Sequence, residues 1–156
     1  MPATERVLET IHIERVDGRD KPLPGGALPL LIQYEDKEAQ QQNHRAREEL
    51  GRINRKPGNH QKYEFVAIAD VEKWDWWPAR KHVLADLRAI AARNNTPLYA
   101  DWKGSLRKRW GFRAGQSVIL LVGCDGKPRF AGEGTLSDAQ LAALVAALRA
   151  VGADVD

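Results

Sequence analysis

The pattern that most constrains this chain is an alternation of apolar segments with helical ones. Residues 28–34 and 63–70 are almost continuously apolar, as is typical of strands covered on both faces of a sheet. Helical periodicity follows each of them, from 36 to about 56 and from 78 to about 94. This alternation predicts an α/β protein with parallel strands inside a sheet.

The helical segments are marked by capping residues. Asp36 is the predicted N-cap of the first helix, whose apolar stripe is narrow, and Pro78 opens the second. The last helix has the clearest signals, because Ser137 and Gln140 form a capping-box pattern and Gly152 follows its end.

Turn signals add a hairpin at each end. An Asp-Gly pair at 17–18 predicts an N-terminal hairpin over about 7–27, and a second pair at 125–126 joins strands at 117–122 and 127–131. The second of these strands contains a proline, which suits a sheet edge.

A short strand at 97–101 and a short helix at 105–109 complete the predicted order. We expect an α/β fold with a central mixed β-sheet, helices on both faces and the N-terminal hairpin as an extension. All 156 residues form one domain in this prediction, with the core at about 28–151.

Charge and hydropathy limit the classes of partner. The net charge is +3, and basic residues cluster at 45–62 and 103–113. Such clusters bind phosphates or nucleic acid, but a solvated helix face explains them equally, so nucleic acid is not an expected partner.

No apolar run approaches the roughly 20 residues of a membrane span. Charges interrupt any signal-peptide core near 7–13, which predicts a cytoplasmic protein, or a periplasmic one if a leader was removed.

Several of these segments resemble peroxiredoxin and redoxin domains. In residues 97–112, a strand-ending Asp, a short helix and an aromatic-Gly-aromatic step occur with the spacing found before the edge hairpin of those domains. The turn at 16–19 and the stretch from 123 through the last helix are also similar. This resemblance implies a thioredoxin-like fold over about 8–151.

The sequence departs from this family at the redox site. In redoxins, the strand corresponding to 28–34 leads into a catalytic cysteine at the next helix start, where the helix dipole lowers the thiol pKa. Here that region and the position of the family's cis-proline contain neither a cysteine nor a proline; the residues are Glu35, Asp36, Lys37, Glu38, Gln40, Gln41, Gln116 and Ser117. The resemblance therefore implies a degenerate site without redox catalysis. The polar helix start is similar to the YtfJ-type group of thioredoxin-like bacterial proteins.

The single cysteine, Cys124, is the weak catalytic candidate. One cysteine makes no internal disulfide, and its Gly-Cys-Asp-Gly setting is typical of a turn. Lys127 and Arg129 nearby favour a reactive thiol, whereas Asp125 opposes one. A structural or incidental thiol is the alternative reading.

Other chemistry has weaker signals. The four histidines, His12, His44, His60 and His82, show no ligand spacing, so we expect neither a metal site nor a cofactor. Four carboxylates fall near predicted strand ends, where α/β sheets form ligand clefts; they are Glu35, Asp36, Asp70 and Asp101. They are candidates for acid–base chemistry, or else for helix caps and turns.

Three tryptophans lie close together between a predicted strand and a predicted helix, at Trp74, Trp76 and Trp77. Exposed, they would form a patch suited to a partner, since Trp buries much area at little entropy cost. Buried, they would attach the loop to the core. We expect at least one of the three tryptophans to be buried and at least one to be exposed.

Two main hypotheses of function follow. The preferred one is a redox-inactive binding or scaffold module, whose contact surface combines the tryptophans with Arg45, Arg52 and Arg55, toward a protein partner or a second copy. The alternative is an unconventional thiol oxidoreductase that uses Cys124 or a partner's thiol. Phosphate or nucleic-acid binding by the basic clusters is a third and weaker hypothesis.

Overall fold

The computed structural model describes residues 6–156; residues 1–5 of the predicted domain lie outside the described part. In chain order the elements are β1 (Ile11–Arg15), β2 (Lys21–Leu23), β3 (Leu30–Glu35), α1 (His44–Asn54), β4 (Glu64–Asp70), α2 (Ala79–Asn94), β5 (Leu98–Asp101), α3 (Ser105–Trp110), β6 (Val118–Val122), β7 (Pro128–Glu133) and α4 (Asp138–Ala150). Short 3-10 turns lie at Ala39–Gln41, Asn59–Gln61 and Glu72–Trp74.

The strands form one mixed sheet in the order β2-β1-β5-β4-β3-β6-β7. Strand β3 is central, parallel to β4 and antiparallel to β6. Its Leu31 and Ile32 are fully buried on opposite faces, because successive side chains of a strand alternate. The predicted central strand covered on both faces is confirmed.

Helices cover both faces of the sheet, as predicted. On one face, Leu31 packs with Leu50 of α1 and Leu144 of α4, and α2 lies over the same face of β4 and β5. On the other face, Ile32 packs with Leu106 of α3. The described helices do not include one that is long and apolar enough to cross a bilayer.

Both predicted hairpins are present. Gly18 adopts a φ of 78° in the turn after β1, a conformation that favours glycine. Strand β1 also pairs with β5, so the N-terminal hairpin extends the sheet rather than standing apart from it. Pro128 lies in β7, which is an edge strand.

The predicted helix starts are confirmed for α2, whose N-cap is Pro78, and for α4, but not for α1. The capping box at α4 is confirmed: Gln140 N donates to Ser137 Oγ at 3.2 Å, and Ser137 N donates to Gln140 Oε1 at 2.9 Å. The predicted start of α1 at Asp36 is wrong. Asp36 accepts a bond from Ala39 N at 2.8 Å, which forms a turn, and α1 begins only at His44.

The three tyrosines of the chain provide a pH test of this core. Burial raises the pKa of Tyr63 to about 12. Burial also raises the pKa of Tyr99 and of Tyr34. For Tyr34 the carboxylate of Asp101 beside the phenol is the second cause. Tyrosine in the unfolded chain has a pKa of about 10. The buried neutral phenols therefore contribute their full stabilisation below that pH. This stabilisation is lost as the pH rises toward about 12.

We expect tyrosinate absorbance to rise only above about pH 10, together with loss of the native circular dichroism signal. The same titration in denaturant is the control and should give ordinary tyrosine behaviour. A native protein whose tyrosines ionise normally would contradict the burial described here.

Candidate functional site

The candidate site lies at the edge of the sheet where β3, β4 and β5 end. Because these strands are parallel, their carboxyl ends meet at one edge. Asp36 follows β3, and Asp70 and Asp101 end β4 and β5. The four carboxylates selected from the sequence, which include Glu35, thus belong to one edge of the sheet.

Glu35 is the centre of a polar cluster beneath α1. Its Oε1 accepts bonds from Arg47 Nη2 at 2.6 Å and Gln33 Nε2 at 3.0 Å. Its Oε2 accepts a bond from Ser117 Oγ at 2.9 Å. The structure therefore joins Glu35 to Ser117, the two ends of the degenerate redoxin region, across β3 and β6.

Two residues that the sequence did not single out as site residues complete this region. Gln42 Nε2 donates to Gly115 O at 2.9 Å, and Gln42 Oε1 accepts from Ser117 N at 2.9 Å. Asn43 is 2% exposed, and its Nδ2 donates to Ser117 Oγ at 2.9 Å and to Gly134 O at 2.7 Å. Side-chain amides of the chain itself thus bind the loop that precedes β6. Only the polar composition before α1 hinted at this.

The carboxylates of β4 and β5 are also engaged. Asp101 is 3% exposed. It caps α3 by accepting hydrogen bonds from Ser105 N at 2.8 Å and Leu106 N at 3.0 Å. Its Oδ2 also accepts a hydrogen bond from Tyr34 Oη at 3.0 Å. Asp70 accepts a bond from Arg107 Nε at 2.9 Å. These contacts are those of caps and ion pairs.

Beside them is a cleft of about 290 Å³, bordered by the segments after β3 and β4. Asp70 and Arg107 are its least exposed ion pair, and Arg107 also pairs with Glu72. The Lys108 ammonium, by hydrogen bonding to Glu72, is the main cause that lowers the pKa of that carboxyl. Among the described residues, no group of three or more His, Cys, Asp or Glu is placed to hold a metal ion.

The tryptophan loop, residues 74–77, borders this cleft through Trp74. Trp74, Trp76 and Trp77 are 37%, 56% and 86% exposed. The expectation that at least one would be buried is wrong. Trp102 is buried instead, and the guanidinium of Arg80, which also pairs with Asp75 of the loop at 2.6 Å, lies over its ring at 4.4 Å from the ring centre.

The three arginines assigned to the same contact surface are placed elsewhere. Arg45 pairs with Asp138 of α4 at 2.6 Å. Arg52 pairs with Glu49 and donates to Val155 O at 2.7 Å. Arg55 ends α1 as its C-cap, at the far end from the tryptophan loop. The structure therefore directs Arg45 and Arg52 toward α4 and the C-terminal segment.

Cys124 is exposed, and its Sγ donates to Ala27 O at 3.3 Å. Because β6 is antiparallel to β3, the cysteine lies beyond the amino end of β3, whereas Ser117 lies beside its carboxyl end. Five residue steps of about 3.3 Å separate Ser117 from Val122, or roughly 17 Å. The thiol is thus at the opposite edge of the sheet from the degenerate region.

Comparison with known proteins gives structural likeness only. No family model matches the sequence, and no curated protein does either. A thiol-disulfide oxidoreductase from Bacteroides fragilis matches with a TM-score of 0.63 and 13% identity, over 92% of this chain and 99% of that one.

Two further solved structures show the same architecture. An exposed lipoprotein thioredoxin, Etrx1, from Streptococcus pneumoniae matches with a TM-score of 0.62 and 16% identity, over 91% of this chain and 99% of that chain. The peroxidoxin BcpB from Mycobacterium tuberculosis matches with a TM-score of 0.60 and 14% identity, over 94% of each chain.

This chain therefore has the thioredoxin-like fold, as the redoxin resemblance implied. The region before α1 contains Gln42 and Asn43 bound to the opposite loop, and the single thiol lies at the other edge of the sheet.

Proposed function

We propose that this chain is a redox-inactive thioredoxin-like protein that works by binding another protein through the tryptophan loop. The observation that carries the proposal is the exposure of three indoles within four residues, at 37%, 56% and 86%. Large aromatic side chains at the surface are the residues that most often dominate protein interfaces. Their position beside a polar cleft adds groups that can orient a partner.

The degenerate redoxin region supports the absence of thiol exchange. A reactive thiolate needs a positive setting or a free helix start. In this region the carboxylates of Glu35 and Asp36 adjoin the helix approach, and Gln42 and Asn43 bind the loop before β6. The similarity of this polar stretch to the YtfJ-type bacterial group agrees with the same proposal.

The second candidate is an unconventional thiol oxidoreductase. It is favoured by the exposure of Cys124 and by the printed names of the structural neighbours, among them a thiol-disulfide oxidoreductase and a peroxidoxin. Its reactive sulfur would have to act at the edge of the sheet opposite Glu35.

Redox assays separate the two candidates. We expect turnover of hydrogen peroxide and of a protein disulfide, each with an external thiol reductant, to stay at background for the wild type and for Cys124→Ser alike. An active thioredoxin is the positive control. Turnover that is present in the wild type and lost in Cys124→Ser would favour the oxidoreductase instead.

Site-specific crosslinking tests the binding surface. We expect a photo-crosslinking amino acid at position 77 to capture a defined protein in the cells that express this chain, and the same group at position 93, on the last turn of α2, to capture none. With that protein purified, Trp77→Ala should weaken binding at least tenfold, a change of about 1.4 kcal/mol, whereas Arg93→Ala should leave affinity unchanged. Equal capture at both positions would contradict the proposal.

A further inference from the structure

The cleft beside the tryptophan loop has an uneven distribution of charge. Four carboxylates and three cations line it; the carboxylates are Asp36, Glu38, Asp70 and Glu72, and the cations are Lys37, Lys73 and Arg107. Two of the cations are held by carboxylates: Lys73 pairs with Glu38 at 2.7 Å, and Arg107 pairs with Asp70 at 2.9 Å and with Glu72.

Asp36 and Lys37 differ from the rest of the lining. Within the described chain, neither makes an ion pair. Asp36 uses one oxygen, Oδ1, to accept the Ala39 amide, and is only partly buried. Lys37 is exposed, and its Nζ lies over the ring of Trp74 at 6.0 Å from the ring centre. An ammonium of the chain itself therefore already lies over this indole ring.

That arrangement defines the chemistry that the cleft can accept. An indole face attracts a cation through its quadrupole. The ammonium of Lys37 lies at the outer limit of the distance range for this interaction, and no carboxylate among residues 6–156 pairs with it. A cation from a partner could displace it without breaking an ion pair, and would meet the carboxylate of Asp36, which lines the same cleft. The chain as a whole carries +3, so the cleft is locally more acidic than the protein.

We propose that this cleft binds a lysine or arginine side chain of the partner protein, with the cation placed between the ring of Trp74 and the carboxylate of Asp36. This inference rests on the proposed function, since it assigns the partner's chemistry to the same surface. Trp76 and Trp77 then contact the apolar residues that flank that basic side chain. A guanidinium suits the site because it both stacks on an aromatic face and donates to a carboxylate.

The test uses a fluorescent peptide of alternating glycine and arginine, with a glycine-glutamate peptide of the same length as the comparison. We expect the arginine peptide to bind and the glutamate peptide not to bind. Asp36→Asn, which keeps the acceptor for Ala39, and Trp74→Ala should each weaken binding about three- to fivefold. Lys37→Ala should strengthen it, because it removes the competing ammonium.

Asp86→Asn is the matched control, since it removes one exposed charge from α2 outside the cleft lining. It should leave affinity unchanged. If Asp86→Asn weakens the peptide as much as Asp36→Asn, or if the peptide does not bind, the inference is overturned. If Trp77→Ala still weakens binding of the crosslinked partner at least tenfold while Asp36→Asn has no effect on it, the proposed function stands and only the cation site fails.

Discussion

Replacing Asp101 with alanine is expected to lower the free energy of unfolding by about 4 kcal/mol, because the change leaves buried donors without an acceptor. The carboxylate accepts the Tyr34 hydroxyl and the amides of Ser105 and Leu106, and is 3% exposed. The substitution removes both the cap of α3 and the hydrogen bond that joins Asp101 to Tyr34 of the central strand β3. Urea denaturation at neutral pH measures the effect.

Two comparisons isolate the cause. Asp86→Ala removes an exposed carboxylate from α2 and should change stability by less than about 0.5 kcal/mol. Tyr34→Phe removes only the hydroxyl, at a cost of about 1 kcal/mol, and should cost less still in the Asp101→Ala background. An Asp101→Ala protein as stable as Asp86→Ala would show that the cap does not hold α3.

Asn43→Ala is expected to destabilise the protein by about 3 kcal/mol. Besides the two bonds that its Nδ2 donates, its Oδ1 accepts the Leu136 amide at 2.8 Å. Alanine leaves the Leu136 amide and the Gly134 carbonyl unpaired in a site that excludes water. Thermal and urea unfolding of the same variant should agree on the loss.

The control for Asn43 is close by in the chain. Gln41→Ala alters an exposed side chain in the same polar stretch and should shift the unfolding midpoint very little. Similar losses for the two variants would indicate that the polar stretch acts through local helix propensity, and would remove the basis for treating Asn43 as the link between α1 and the loop before β6.

The hydrogen bonds of Gln42 also have a steric consequence for binding. The side chain of Gln42 forms hydrogen bonds with the carbonyl of Gly115 and the amide of Ser117. Those backbone groups are therefore unavailable to an extended partner strand at this point of the chain. This agrees with a binding surface at the tryptophan loop, whose indoles are exposed.

Much of the fold could be predicted because its signals are local. The apolar run of β3, the capping box at Ser137 and the Asp-Gly turns specify their own backbone conformations within a few residues. Pro128 could be assigned to an edge because proline has no N–H to donate to a neighbouring strand. The α/β class then followed from the order of the elements.

What the sequence determined by itself is thus the set of elements, their order and the lack of a thiol before α1. The tertiary structure alone decided where α1 begins, because Asn43 leaves helical geometry and bonds to residues far along the chain. It also decided that Trp102, rather than a residue of the tryptophan loop, is buried in the core. Those outcomes depend on strand register and on pairings distant in sequence, which local propensity does not specify.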